Sequence, residues 1–109
     1  NPVVCAGANY VLDTITADGF LDEVNKKGSY IEEKVSKFKN VKNVRRMGLM
    51  IGIEFENGNA HDIAVKCVEN GLLIITAKDL LRMLPPLVIT YDEIDEALKI
   101  LETTLKENY

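Results

Sequence analysis

The sequence predicts an α+β domain: a small, mainly antiparallel sheet with helices packed on one face. Three observations carry this. Four stretches repeat apolar residues at helical spacing, and four short stretches between them have the length and patterning of strands. Their order is helix, helix, strand, strand, helix, strand, strand, helix, with neighbouring strands joined by short loops, which suits a layered α+β arrangement. The free sheet face is then expected to carry Arg82, with Met50 and Glu54, toward a ligand or another domain.

The chain has 109 residues, enough for one domain with one core. Net charge is -4 and is spread along the chain, which argues against nucleic acid or an anionic membrane surface as partner. No apolar run reaches the length of a membrane span, and the N-terminus lacks the basic start and apolar core of a signal peptide. Cys5 and Cys67 each fall on an apolar helical stripe, with no second Cys or His at metal-ligand spacing. They read as reduced, packed thiols of a cytoplasmic protein. The opening Asn-Pro, without Met, points to a removed start or to a piece of a longer protein.

Asn1 and Pro2 read as an N-cap and a first-turn proline. The helix that follows, through Val3, Val4, Cys5, Ala6, Tyr10, Val11, Leu12 and Ile15, is apolar almost all round in its first half. It therefore wants cover on more than one side. Gly19 is its expected stop. In the second helix Leu21, Val24, Gly28, Ile31, Val35 and Phe38 form one narrow seam. Charged residues on its other faces, Glu32 and Glu33 among them, read as a solvated surface. Gly28 costs about 1 kcal/mol of helix propensity and suggests a close helix crossing.

Val41 to Met47 reads as a strand broken by Gly48. Leu49, Ile51, Ile53 and Phe55 then alternate with Met50, Gly52 and Glu54. Gly52 leaves room for a ligand or a backbone, or marks a bulge. After the turn Asn57-Gly58-Asn59, a third helix places Ala60, Ile63, Ala64, Cys67 and Val68 on one stripe and ends at Asn70-Gly71. His61, the only histidine, reads as exposed and structural. Leu72 to Thr76 and Leu80 to Leu84 are the last strands, a hairpin across Ala77-Lys78-Asp79. Thr90 and Glu93 form a capping box for the final helix, with Ile89 and Ile94 as a hydrophobic staple. Ile94, Ala97, Leu98, Leu101 and Leu105 make its buried stripe.

Catalytic groups are scarce. No serine or cysteine stands beside a plausible base, and no glycine-rich phosphate loop appears. Lys78 sits in a polar turn beside Asp79, where nothing would desolvate it for Schiff-base chemistry. The most informative stretch is Leu81-Arg82-Met83-Leu84-Pro85-Pro86-Leu87. Alternation turns Arg82 away from Leu81 and Met83, and the two prolines end the strand or leave it an edge. Arg82 has two readings: an edge or surface arginine whose stem covers apolar area, or a stiffly held fork for a carboxylate.

Several segments together resemble the C-terminal small domain of the class III aminotransferases, pyridoxal-phosphate enzymes of fold type I. Asn1-Pro2-Val3-Val4-Cys5-Ala6 is similar to that family's helix start after a Gly-Gly pair. Val44-Arg45-Arg46-Met47-Gly48-Leu49-Met50-Ile51-Gly52-Ile53-Glu54 resembles its Val-Arg-Gly-x-Gly-Leu-Met-Ile-Gly-Ile-Glu, with Arg46 where glycine is usual. Gly71-Leu72-Leu73-Ile74, the Arg82 stretch, and Thr90 with Glu93 to Ala97 follow in order. The resemblance covers essentially the whole chain.

The resemblance implies that Arg82 binds the α-carboxylate of glutamate or 2-oxoglutarate. It implies pyridoxal phosphate as cofactor of the full-length enzyme. The catalytic lysine, the aspartate on the cofactor's ring nitrogen and most phosphate contacts would lie in a preceding large domain, so no catalytic or cofactor residue is assigned here. Residues 1–18 would contact that domain, and the whole enzyme would be a cytoplasmic homodimer. Within the family the pattern lies nearest the branch that acts on N-acetylornithine in arginine biosynthesis. The ornithine and 4-aminobutyrate branches share the arginine. The fragment alone is expected to fold, to be inactive and not to hold the cofactor tightly. The competing reading is a free-standing small-molecule sensor or interaction domain.

Overall fold

The computed structural model describes residues 1–109. Asn1 caps helix α1 (Pro2–Ile15), its side chain accepting the Val3 N–H at 3.0 Å, and Pro2 takes the first turn. The helix stops at Thr16, whose N–H bonds the Leu12 carbonyl, before Gly19 is reached. Gly19, at φ 82°, instead opens α2 (Phe20–Val35). No residue of α1 is buried; Val3 is 80% and Tyr10 73% exposed. The cover that its apolar surface calls for does not come from the rest of this chain.

The strands are β1 (Val41–Met47) and β2 (Met50–Phe55), then, after α3 (Ala60–Glu69), β3 (Ile75–Ala77) and β4 (Leu80–Met83). They form one antiparallel sheet in the order β1-β2-β4-β3. Two hairpins, turned at Gly48 and at Lys78-Asp79, are thus joined by pairing of β2 with β4. Helix α4 (Tyr91–Asn108) closes the chain. Ile51 and Ile53 of β2 and Leu81 and Met83 of β4 point to one face. They meet Val24, Ile31 and Val35 of α2, Ile63 and Cys67 of α3, and Ile94, Leu98, Leu101 and Leu105 of α4. Each such side chain contributes about 1.5–3 kcal/mol when fully buried. The other sheet face has no helix of this chain on it.

Gly28 does allow a close approach, but to the β1–β2 turn rather than to a helix. A Cβ there would lie 2.2 Å from the Gly48 carbonyl oxygen. Gly52 is in register with Arg45 on one side and Arg82 on the other, so it is not a bulge; the irregularity falls at Val41/Asn43. The expected strand over Leu72–Thr76 shrinks to Ile75–Ala77. The reason lies opposite: β4 ends at Met83 before Pro85 and Pro86, so Leu72 and Leu73 face no ladder partner. Val68 is 49% exposed, which narrows the α3 stripe. The capping box of α4 forms as expected, with Ile94 buried and Ile89 partly buried against the core. Thr104 adds a tie that the apolar pattern hides. Its hydroxyl donates to the Ile100 carbonyl and accepts from the Asn70 side chain, both at 2.8 Å.

Candidate substrate-carboxylate site

Arg82 lies on β4, between Gly52 of β2 and Ile75 of β3. Leu81 and Met83 on either side of it are buried in the helix-covered core, so the guanidinium leaves by the open face. The strand is interior, which rules out an edge-strand arginine. Being hydrogen-bonded on both sides, it gives Arg82 a stiff base.

The side chain is only partly exposed, and its Nε is buried without a hydrogen-bond partner. A buried, unpaired donor on a charged group costs about 1–3 kcal/mol or more, so such an atom calls for an acceptor. Arg82 borders two hollows. One, about 350 Å³, is largely apolar and runs between Leu72–Ile75 and Met83–Pro86. The other, about 320 Å³, lies on the open face over Gly52 and Leu80, with Arg45 at its far side. Neither contains a lysine, a histidine or a carboxylate. The arrangement can bind an anion, and the planar fork of Arg82 suits a carboxylate.

Neighbouring charges are mostly settled. Arg46, on the helix side of β1, donates to Glu32 at 2.6 Å and to Ser29 at 2.7 Å. Glu32 is therefore an anchor for the hairpin as well as a surface group. Lys42 pairs with Glu54 at 3.3 Å, so Glu54, though on the open face, is engaged beside its own strand. Arg45 and Arg82 form no ion pair in the chain.

The remaining candidates stand apart. Lys78, at φ 55°, and His61 are exposed in a turn and at the start of α3. Cys5 is exposed rather than packed. Cys67 is buried, and burial pushes its thiol pKa up, opposite to what a nucleophile needs. Sequence reasoning missed Arg45 as a neighbour of Arg82. The only signal was its even offset from Met47 on a strand whose partner could not be read.

The comparisons with known proteins bear on the same residues. A model of the class-III aminotransferase family matches residues 1–105. The acetylornithine aminotransferase of Caldanaerobacter subterraneus is 46% identical over 112 residues, covering 98% of this chain and 28% of that protein. The crystal structure of N-acetylornithine aminotransferase from Stenotrophomonas maltophilia matches with a TM-score of 0.90 at 28% identity, over 98% of this chain and 32% of that one. An ornithine aminotransferase from Plasmodium yoelii matches with a TM-score of 0.70 at 34% identity, over 83% of this chain and 26% of that one. The chain thus spans less than a third of the length of these relatives. With the matched segment running from the Asn1 cap into α4 and holding the strand that bears Arg82, the chain belongs to the class-III aminotransferase family.

Proposed function

We propose that the full-length protein is a pyridoxal-phosphate-dependent enzyme that moves an amino group between N-acetylornithine and 2-oxoglutarate. This chain is its C-terminal small domain and supplies Arg82, which holds the substrate α-carboxylate. The observation that carries the proposal is the buried Arg82 Nε, unpartnered on an interior strand and bordering a hollow that can admit an anion. A bidentate guanidinium fixes both position and orientation, so the reacting carbon is presented in one pose.

The class implies pyridoxal phosphate, which when bound acts as an electron sink. The residues of this chain do not fit that group by themselves. No lysine or acid lines either hollow beside Arg82, and Lys78 is exposed in its turn. The groups that hold the cofactor therefore belong to a large domain outside these residues. The uncovered apolar surface of α1 supports contact with that domain. As part of the same proposal, the whole enzyme is a cytoplasmic homodimer. No helix of this chain is long and apolar enough to cross a membrane. The small domain alone is inactive.

Ornithine as amino donor is the second reading, favoured by the 34% identity to the Plasmodium yoelii enzyme. Glutamate formation by the full-length protein from 2-oxoglutarate with N-acetylornithine, ornithine or 4-aminobutyrate separates the readings. Arg82→Lys should raise KM for 2-oxoglutarate about tenfold or more, because the charge stays and the fork is lost. An unchanged KM for both Arg82→Lys and Arg82→Ala refutes the role given to Arg82. Absence of transamination with all three donors refutes the activity.

A further inference from the structure

We propose that Leu80 is a positioning residue: it holds the Arg82 side chain in its carboxylate-binding pose, and it can do so only because position 52 is glycine. This deepens the proposed function and rests on its reading of Arg82. Residues two apart on a strand share a face, so Leu80 and Arg82 both rise from the open side of β4. The residue directly opposite Arg82 on β2 is Gly52. Leu80 does not stay over its own position. Its Cδ1 reaches to 3.2 Å from where a Gly52 Cβ would stand, and so fills the place of the missing side chain. Side chains directly opposite one another in a sheet stand about 4.5–5.5 Å apart at Cβ, which puts the leucine tip beside the Arg82 stem.

The other side of Arg82 is walled as well. β3 sets Ile75 directly opposite it, with a β-branched and therefore stiff side chain on the same face. The arginine stem thus runs between an isoleucine and a leucine tip. Ala77, opposite Leu80 on β3, is small and leaves the direction of Leu80 to the gap at Gly52. An apolar slot accounts for the state of the Arg82 Nε, which is buried and has no hydrogen-bond partner. Neither wall offers an acceptor that would compete with an incoming carboxylate. A guanidinium on a walled stem has given up much of its rotamer freedom before the ligand arrives. A free one would give it up on binding, at a cost in affinity of about two- to tenfold for one long side chain. Leu80 touches no substrate in this scheme; it acts through Arg82.

The test is calorimetric titration of the full-length holoenzyme with glutarate, an unreactive analogue of 2-oxoglutarate, with the thermal midpoint read for each variant. Leu80→Ala should weaken glutarate about two- to tenfold. Leu80→Met, which keeps the bulk, should stay within about twofold of the parent. Adding Gly52→Val to Leu80→Ala rebuilds the wall from β2 and should recover most of the lost affinity. Leu80→Ala with the affinity of the parent, whether or not its midpoint falls, overturns the assignment, because a role confined to stability would leave binding by the folded holoenzyme untouched. Leu80→Met as weak as Leu80→Ala, or a folded swap that recovers nothing, overturns it too. Arg82→Met separates this inference from the reading beneath it. If Arg82→Met weakens glutarate and Leu80→Ala does not, only the role of Leu80 falls. If Arg82→Met leaves glutarate unchanged, the reading of Arg82 falls and this inference falls with it.

Discussion

Replacing Gly28 with alanine should destabilise the domain, although alanine is the better helix former. In an unpacked helix the change is worth about 1 kcal/mol in favour of alanine. Here the new methyl would sit 2.2 Å from the Gly48 carbonyl oxygen, 3.1 Å from the Gly48 carbonyl carbon and 3.0 Å from an Arg46 guanidinium nitrogen. Restoring an ordinary contact requires α2 to retreat by about 1 Å. Val24, Ile31 and Val35 ride on the same helix face and would lose contact with the sheet. Overpacking of this kind costs typically about 1–3 kcal/mol, and the partner is backbone, which yields less easily than a side chain. With the cost at the upper end of that range, about 2–3 kcal/mol, the net loss after the propensity gain should be roughly 1–2 kcal/mol, a midpoint lower by about 5–15 °C for a domain this size. Gly7 is the internal control, because it too lies in a helix and nothing stands within 4 Å of its Cβ position. Thermal unfolding followed by circular dichroism should move in opposite directions for Gly28→Ala and Gly7→Ala. A Gly28→Ala variant as stable as the parent would refute the close seating of α2 on the hairpin turn.

Three further outcomes follow from the same contacts. Arg46→Gly should cost about 1 kcal/mol by removing the bonds to Glu32 and Ser29, read as a lower urea midpoint. Thr90→Ala should cost about 1 kcal/mol at neutral pH by opening the capping box. The Thr90 hydroxyl and N–H hold the Glu93 carboxyl below its usual pKa, so that contribution is full above about pH 4.3 and is lost as the pH falls through the folded value. The gap between Thr90→Ala and the parent should therefore narrow in acid, and a gap that widens would contradict the cap. Iodoacetamide should label Cys5 in the folded small domain by itself and Cys67 only after unfolding, by mass spectrometry, since one thiol is exposed there and the other is buried with a raised pKa.

Periodicity revealed what depends on local order. The seam of α2, the alternation of Leu49, Ile51 and Ile53, and the capping box of α4 are each set by residues a few positions apart. What it missed depends on which element lies opposite. The Leu72–Ile74 run has strand composition, yet it has no ladder, because Pro85 and Pro86 deny it a partner thirteen residues away by sequence. Gly28 signalled a close approach, but nothing local could say that a turn and not a helix would arrive there. Cys5 and Val68 sit on apolar stripes that this chain leaves uncovered, so their exposure reflects the edge of the domain and not a failure of the helical period.

The site divides along the same line. That Arg82 faces away from Leu81 and Met83 follows from alternation alone. Whether it is a free ligand or a satisfied surface group depends on its neighbours, and these come from pairing across β2 and β3. β4 lies between its hairpin partner β3 and the sequence-distant β2, which turns a candidate edge residue into one held in the middle of the sheet. The same insertion brings Gly52 beside it and puts Arg45 one strand further on. Adjacent Arg45 and Arg46 look like one basic dipeptide in the sequence. The pleat sends them to opposite faces, where Glu32 neutralises one and leaves the other charged beside Arg82. Charge counted along the chain could not make that distinction, because it is made by which face of the sheet has helices packed against it.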